Sequence, residues 1–229
     1  MRRIGRIVDC AEVEFRTRKE AGIALGRELR EMDFEKPIVL GVPRGGVPVG
    51  YEVAEALGGE LDVVVLRKLP IPGNPEAGFG AVSVDGSVVF NEELLGMLKL
   101  EDEVVRGIVG RVLEEVRRRD RAYRGERGFP EVKGREALVV DDGIASGFSM
   151  VSAVKMLKKH EAGRVIVAVP VAPLNSLETV GKYADDVFCL IGQRRLPFAV
   201  ASFYEEFPEM SDAEVRSYLD GRPGGSGGE

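Results

Sequence analysis

Residues Val139 to Ser149, Val-Val-Asp-Asp-Gly-Ile-Ala-Ser-Gly-Phe-Ser, place two consecutive carboxylates at the end of an apolar run and follow them with small residues and two hydroxyls. A strand that delivers Asp141 and Asp142, then turns through Gly143–Gly147 into a helix near Phe148, puts these groups beyond a strand's carboxyl end. Open α/β sheets bind their ligands there. Successive N–H groups of such a loop converge on an anion, and the following helix N-terminus adds partial positive charge. Ser146 and Ser149 contribute hydroxyl donors, while two carboxylates accept hydrogen bonds from a vicinal diol. A phosphate in the loop and a diol on the acids together describe a ribose 5-phosphate. Receiver domains also carry an acidic pair at a strand end, but near the start of the chain and with a later strand ending in Asp. Here the pair lies past the midpoint, and the later strand tips near Pro170 and Ile191 carry no Asp.

The stretch resembles the signature of the type I phosphoribosyltransferases, an apolar strand followed by Asp-Asp-x-x-(Ala or Thr)-(Thr or Ser)-Gly-x-(Thr or Ser). It departs from that pattern at Gly143, where the family usually has a larger apolar residue, and at Phe148, where a small residue is common and an inward ring would crowd the loop. The resemblance covers roughly residues 16 to 218. The closest likeness is to bacterial and archaeal phosphoribosyltransferases of undefined acceptor that carry Pro-Arg-Gly-Gly and Arg-Lys followed by Pro-Gly-Asn-Pro-Glu, found here at Pro43–Gly46, Arg67–Lys68 and Pro72–Glu76.

The resemblance implies a set of roles. Asp141 and Asp142 hold the ribose, and Gly143, Ile144, Ala145, Ser146, Gly147, Phe148 and Ser149 form the 5-phosphate loop. The turn after an earlier strand, with Arg44, Gly45 and Gly46, binds pyrophosphate, and the forked Arg44 guanidinium is its candidate cation. Arg67 and Lys68 meet the pyrophosphate from the base of a lid that brings in Glu76. The substrates implied are phosphoribosyl pyrophosphate, with Mg²⁺ carried on it and reached by Asp141 and Asp142 only through water, and a nucleobase-like acceptor. The product is a nucleotide, as in salvage, and the implied assembly is a homodimer. Family members acting on 6-oxopurines carry an Asp where Ala145 stands, which argues against hypoxanthine and guanine and leaves adenine, orotate and uracil open. The acceptor lies under a hood built from segments near both termini, with Phe203 or Tyr204 placed to stack on a base or to pack the hood's core. A regulator of the same fold that senses the metabolite without turnover is the alternative; the retained lid and basic pair favour the enzyme.

These groups need a scaffold. Apolar segments at Pro37–Val42, Leu61–Leu66, Glu136–Val140 and Arg164–Val169, with a weaker one at Asp186–Ile191, predict strands buried on both faces. Apolar residues at helical spacing (Ala21, Leu25, Leu29, Met32; Val49, Val53, Ala56; Met150, Val154, Leu157) lie between them. The alternation predicts an α/β domain over residues 1–220, a parallel sheet flanked by helices with a small hood and a lid loop. Three prolines and three glycines between Leu69 and Gly80 exclude a helix there and predict a long mobile loop. Asn91 to Tyr123 reads as one long helix or two short ones capped by Asn91, and Arg117, Arg118, Arg119 and Arg121, interleaved with Glu114, Glu115 and Asp120, read as a solvated face. Ser211 and Glu214 have capping-box spacing, and the Gly-rich tail 221–229 is expected to be disordered.

The bulk composition agrees. With 44% hydrophobic and 31% charged residues the 229-residue chain reads as an ordinary globular protein. No apolar run approaches the roughly 18 residues that span a bilayer, and the basic start lacks an apolar segment after it, so a cytoplasmic protein is expected. The net charge of −6 works against broad nucleic-acid binding. Cys10 and Cys189, far apart, suggest two buried thiols rather than a disulfide or zinc site, and His160 among charged neighbours offers no catalytic triad.

Overall fold

The computed structural model describes residues 2–221. In chain order the first elements are β1 (Arg2–Val8), α1 (Arg18–Leu29), β2 (Ile38–Gly41), α2 (Gly46–Leu57), β3 (Glu60–Val63), β4 (Leu66–Ile71), β5 (Asn74–Ser83) and β6 (Val88–Phe90). There follow α3 (Glu92–Leu98), α4 (Asp102–Arg124), β7 (Glu136–Val140), α5 (Phe148–Lys159), β8 (Arg164–Pro173), α6 (Leu174–Val180), β9 (Asp186–Gln193) and α7 (Asp212–Asp220), with a 3₁₀ turn at Val200–Phe203. The glycine-rich stretch beyond Gly221 lies outside the described residues.

Among these residues six strands form a parallel sheet in the order β1-β9-β8-β7-β2-β3. The central strands are apolar on both sides because helices cover both faces. Val39, Leu138, Val140 and Ile166 face α1 and α2, whereas Ile38, Leu40, Val139 and Val167 face α5. Each such fully buried side chain contributes about 1.5–3 kcal/mol. β2 and β7 are neighbours, yet β2 continues through α2 to β3 on one side and β7 through α5 to β8 on the other. Their tips therefore form a topological switch point, and both predicted phosphate turns leave from it.

The parallel sheet and its helices follow the expectation, with two differences. The segment expected as Leu61–Leu66 is divided: β3 stops at Val63, and Leu66 opens a separate antiparallel sheet, β4-β5-β6. The expected irregular lid at Leu69–Gly80 is thus a hairpin turning at Pro72–Gly73. Its prolines do not break it because the ladder is already irregular around Pro70, where a missing N–H costs nothing. Leu69, Phe79 and Val82 point inward, and Phe79 stacks on Phe90 at 6.2 Å. The other difference is β1, which the sequence reading did not foresee. It is an edge strand on β9, largely exposed and studded with Arg2, Arg3 and Arg6, so it lacks the alternation of a half-buried strand.

The stretch after Asn91 forms two helices, with Asn91 Oδ1 accepting the Leu94 amide at 3.1 Å. Arg118 and Arg119 both pair with Glu115 on the solvent side of α4. The Ser211 capping box is complete. Cys189 is buried, but Cys10 is exposed, in the turn leaving the edge strand, which corrects the expectation of two buried thiols. No helix among the described residues is long and apolar enough to cross a membrane.

Arg124 behaves unlike the other arginines of α4. Its side chain is 1% exposed; Nε donates to Asp62 Oδ1 at 3.1 Å, and the guanidinium also contacts Asp120 and the Val63 carbonyl. It ties the end of α4 to β3. Arg124→Met leaves Asp62 buried without its partner and is expected to cost about 3–5 kcal/mol, a drop of roughly 10 °C or more in thermal midpoint, with partial recovery in Arg124→Met/Asp62→Leu.

Candidate active site

β7 ends at Val140, and the next residues turn over the carboxyl edge of the sheet. Asp141 Oδ1 accepts the Asp142 amide at 2.8 Å, which holds the two acids side by side. The Ile144 amide is anchored on the Val171 carbonyl at 3.0 Å, and Ser176 Oγ donates to the Ala145 carbonyl at 2.5 Å, so β8 and α6 fix the loop from behind. Among the described residues no hydrogen bond engages the amides of Ala145, Ser146 or Gly147. They end at Gly147, whose φ of 82° admits the turn into α5.

A cavity of about 540 Å³ opens over this loop. Asp141 and residues 143–149 line one side, and Lys68, Gly78 and Asn91 line the other. The antiparallel sheet thus walls the cavity opposite the acids. Phe148 lines the cavity and packs in part against the core beneath α5.

Gly143, one departure from the family pattern, has a steric reason. A Cβ there would lie 2.7 Å from one Val200 methyl and 2.8 Å from a Val171 methyl. The 3₁₀ turn of the hood rests where the family's larger side chain would project. Behind it Phe203 and Tyr204 are buried with Phe15, Val171 and Ile191, and Tyr204 Oη donates to the Asp142 carbonyl at 2.6 Å. Neither ring is presented to a ligand. Both belong to the hood's core, the packing role that the sequence left open beside stacking.

The predicted cations are dispersed. Lys68 lines the cavity, but Arg67 lies against Glu115 at 3.2 Å, and Arg44, on the turn after β2, stands 3.9 Å from Asp212. The peptide between Pro43 and Arg44 is cis. The Glu76 side chain lies outside the described residues. Arg18, which sequence reasoning missed, is the cation nearest the acids: its Nε donates to Asp142 Oδ2 at 2.7 Å. Its guanidinium lies 3.7 Å over the Phe207 ring and donates to the Pro208 carbonyl at 2.8 Å. Nothing in the local pattern Arg16-Thr17-Arg18-Lys19 distinguishes it from ordinary first-turn residues, because its partners are 124 and 190 positions away.

Burial first, and the neighbouring Asp142 charge second, push the Asp141 carboxyl well above the usual carboxylate range, with Arg18 offsetting part of this. An acid in the cavity with a second beside it, a loop of open amides and a facing lysine suit a sugar phosphate whose remaining charge is carried on a cation.

Comparison with known proteins agrees. The family model for the phosphoribosyl transferase domain matches residues 17–206. The chain belongs to this family. Two Mycobacterium tuberculosis proteins, from strains CDC 1551 and H37Rv and each named as a putative phosphoribosyl transferase, are 39% identical over 206 residues, covering 90% of this chain and 46% of each relative. The chain therefore spans about half the length of the curated relatives it matches. The crystal structure of TT1426 from Thermus thermophilus superposes with a TM-score of 0.78 at 38% identity, over 93% of this chain and 100% of that one. The AQ2163 protein of Aquifex aeolicus, 13% identical with a TM-score of 0.51 over 83% of this chain and 89% of its own, shares the fold.

Two outcomes follow for this candidate site. Gly143→Ala should cost about 1–3 kcal/mol by driving Val200 off the loop, and Val200→Ala in the same chain should recover part of the lost thermal midpoint. Because folding raises the Asp141 pKa, ionising this group opposes folding increasingly as pH rises above the ordinary carboxylate value. Asp141→Asn should therefore raise the thermal midpoint by a few degrees at neutral pH, and the gain should vanish below about pH 4 in a pH-resolved melting series.

Proposed function

We propose that the protein transfers the ribose 5-phosphate of phosphoribosyl pyrophosphate to a nitrogenous acceptor, a nucleobase, with release of pyrophosphate. The observation that carries this reading is Asp141 and a loop of open amides lining one cavity at the sheet's switch point, with Asp142 held beside them. The amides of residues 145–147, with Ser146 and Ser149, hold the 5-phosphate, and Asp141 and Asp142 accept the ribose hydroxyls. Bond breaking at ribose C1 develops positive charge on the sugar and negative charge on the departing pyrophosphate. Lys68 faces that charge across the cavity, and the turn at Pro43–Gly46 offers it backbone N–H groups.

The residues present fit Mg²⁺ brought by the substrate. Their carboxylate oxygens suit a hard cation, and burial together with the neighbouring Asp142 charge pushes the Asp141 carboxyl above the usual carboxylate range, a strain that a nearby divalent cation would ease. Among the described residues no group of three or more His, Cys, Asp or Glu could hold a metal, so a bound Mg²⁺ would need oxygens from the substrate or water besides Asp141 and Asp142. When bound, the ion neutralises charge on the leaving group. Ala145 supports an acceptor other than the 6-oxopurines.

The test incubates the protein with Mg²⁺, phosphoribosyl pyrophosphate and a panel of adenine, uracil, orotate, hypoxanthine and guanine, and measures pyrophosphate release. Release with at least one of the first three and with neither 6-oxopurine is expected, and Lys68→Ala should slow it by on the order of 100-fold. Tight binding of phosphoribosyl pyrophosphate with no release across the panel would overturn turnover and leave a sensor of that metabolite.

A further inference from the structure

Asn91 lines the cavity from the wall opposite the acids, and its other contacts leave it one polar group to present there. Its backbone N–H donates to the Phe79 carbonyl at 2.9 Å, its carbonyl accepts the Leu95 amide at 2.8 Å, and its side-chain Oδ1 accepts the Leu94 amide at 3.1 Å. These bonds tie the residue to β5 and to the first turn of α3, so the side chain cannot rotate without losing the helix cap. The Nδ2 amino group is the other branch of the same planar amide and can only donate. Among the described residues no protein acceptor takes it. Phe90 and Glu92, on either side of Asn91, line a smaller cavity of about 200 Å³ together with Phe148 and Val151 from the first turn of α5. Asn91 therefore stands near the end of the phosphate loop, and it shares the large cavity with Gly147, Phe148 and Ser149. The seven-residue α3 carries Glu92 and Glu93 in its first turn, so the donor on this wall is the side-chain amide and not the helix end.

We propose that Asn91 is a positioning residue for the 5-phosphate, its Nδ2 donating to a phosphate oxygen from across the cavity, so that the sugar phosphate bridges the loop before α5 and the antiparallel sheet. This rests on the reading of the substrate as phosphoribosyl pyrophosphate. The loop amides reach a phosphate from one side and leave its opposite oxygens to water. A donor fixed on the facing wall replaces that water, and because the cap already holds Oδ1, little freedom is lost when the phosphate arrives. The residue type fits both tasks at once. Aspartate caps a helix as well as asparagine but would turn an anion toward the phosphate, and serine caps equally well but has no second branch to reach it.

The experiment compares three variants of the full chain by thermal melting and by calorimetric titration with two probes, ribose 5-phosphate and pyrophosphate plus Mg²⁺. Asn91→Ser and Asn91→Asp keep a capping oxygen and are expected to melt close to the wild type, whereas Asn91→Ala loses the cap and melts lower. Asn91→Ser is expected to weaken ribose 5-phosphate by roughly 10-fold and Asn91→Asp by roughly 100-fold, with pyrophosphate changed by less than about threefold. Affinity that falls only in Asn91→Ala, in step with its melting temperature, would leave Asn91 a helix cap and overturn the proposal. Equal losses for both probes would overturn it too, because they would place the effect outside the 5-phosphate. Failure of the wild-type protein to bind ribose 5-phosphate at all would sink the substrate reading on which the proposal stands.

Discussion

Two ionisable acids on consecutive residues at the tip of a central strand set the problem that the surrounding structure solves. Partly buried, they repel one another, and the Asp141 carboxyl rises accordingly. Arg18 restrains the arrangement from one side, the Tyr204 hydroxyl fixes the Asp142 carbonyl from another, and the absence of a side chain at Gly45 leaves the room in which Asp142 lies. Each support comes from a different part of the chain: the first turn of α1, the hood, and the turn after β2. The acids are thus where the fold's separate segments meet, and an energetic burden on any of them is shared by all.

The topology makes this meeting possible. In a doubly wound sheet the only place where two successive strand-to-helix turns diverge is the switch point, and here it lies between β2 and β7. The divergence leaves a crevice into which neither helix intrudes. The antiparallel sheet then supplies a second wall, with its apolar face on α4 and its polar residue Lys68 turned to the cavity.

Much of this was legible in the sequence because it is local. The strand run at Glu136–Val140, the carboxylates that follow and the helix from Phe148 are written in consecutive residues, as are the Asn91 and Ser211 caps. What escaped depended on distance or on a context that reverses a local rule. Arg18 pairs across 124 positions, so no window of sequence contains both partners. Prolines at 70, 72 and 75 signal a loop by composition, yet Pro72 sits in the hairpin turn and the strands tolerate the other two where their ladder is already irregular. β1 carries too many arginines to read as a strand, but charge is what an edge requires. Gly143 was visible as a departure from the family pattern; its meaning needed Val200, 57 positions away, to be seen resting on it.

That last contact also limits how the protein can be rebuilt. With a valine of the hood occupying the room left by a missing side chain in the phosphate loop, the two pieces form a lock-and-key pair inside one molecule. A loop taken from a homologue with a bulkier residue at this position would meet the hood head-on, and a foreign hood with a smaller residue would leave a void over the loop. Recombination between such proteins would have to cut outside both segments or exchange them together, as a single unit of loop and hood turn.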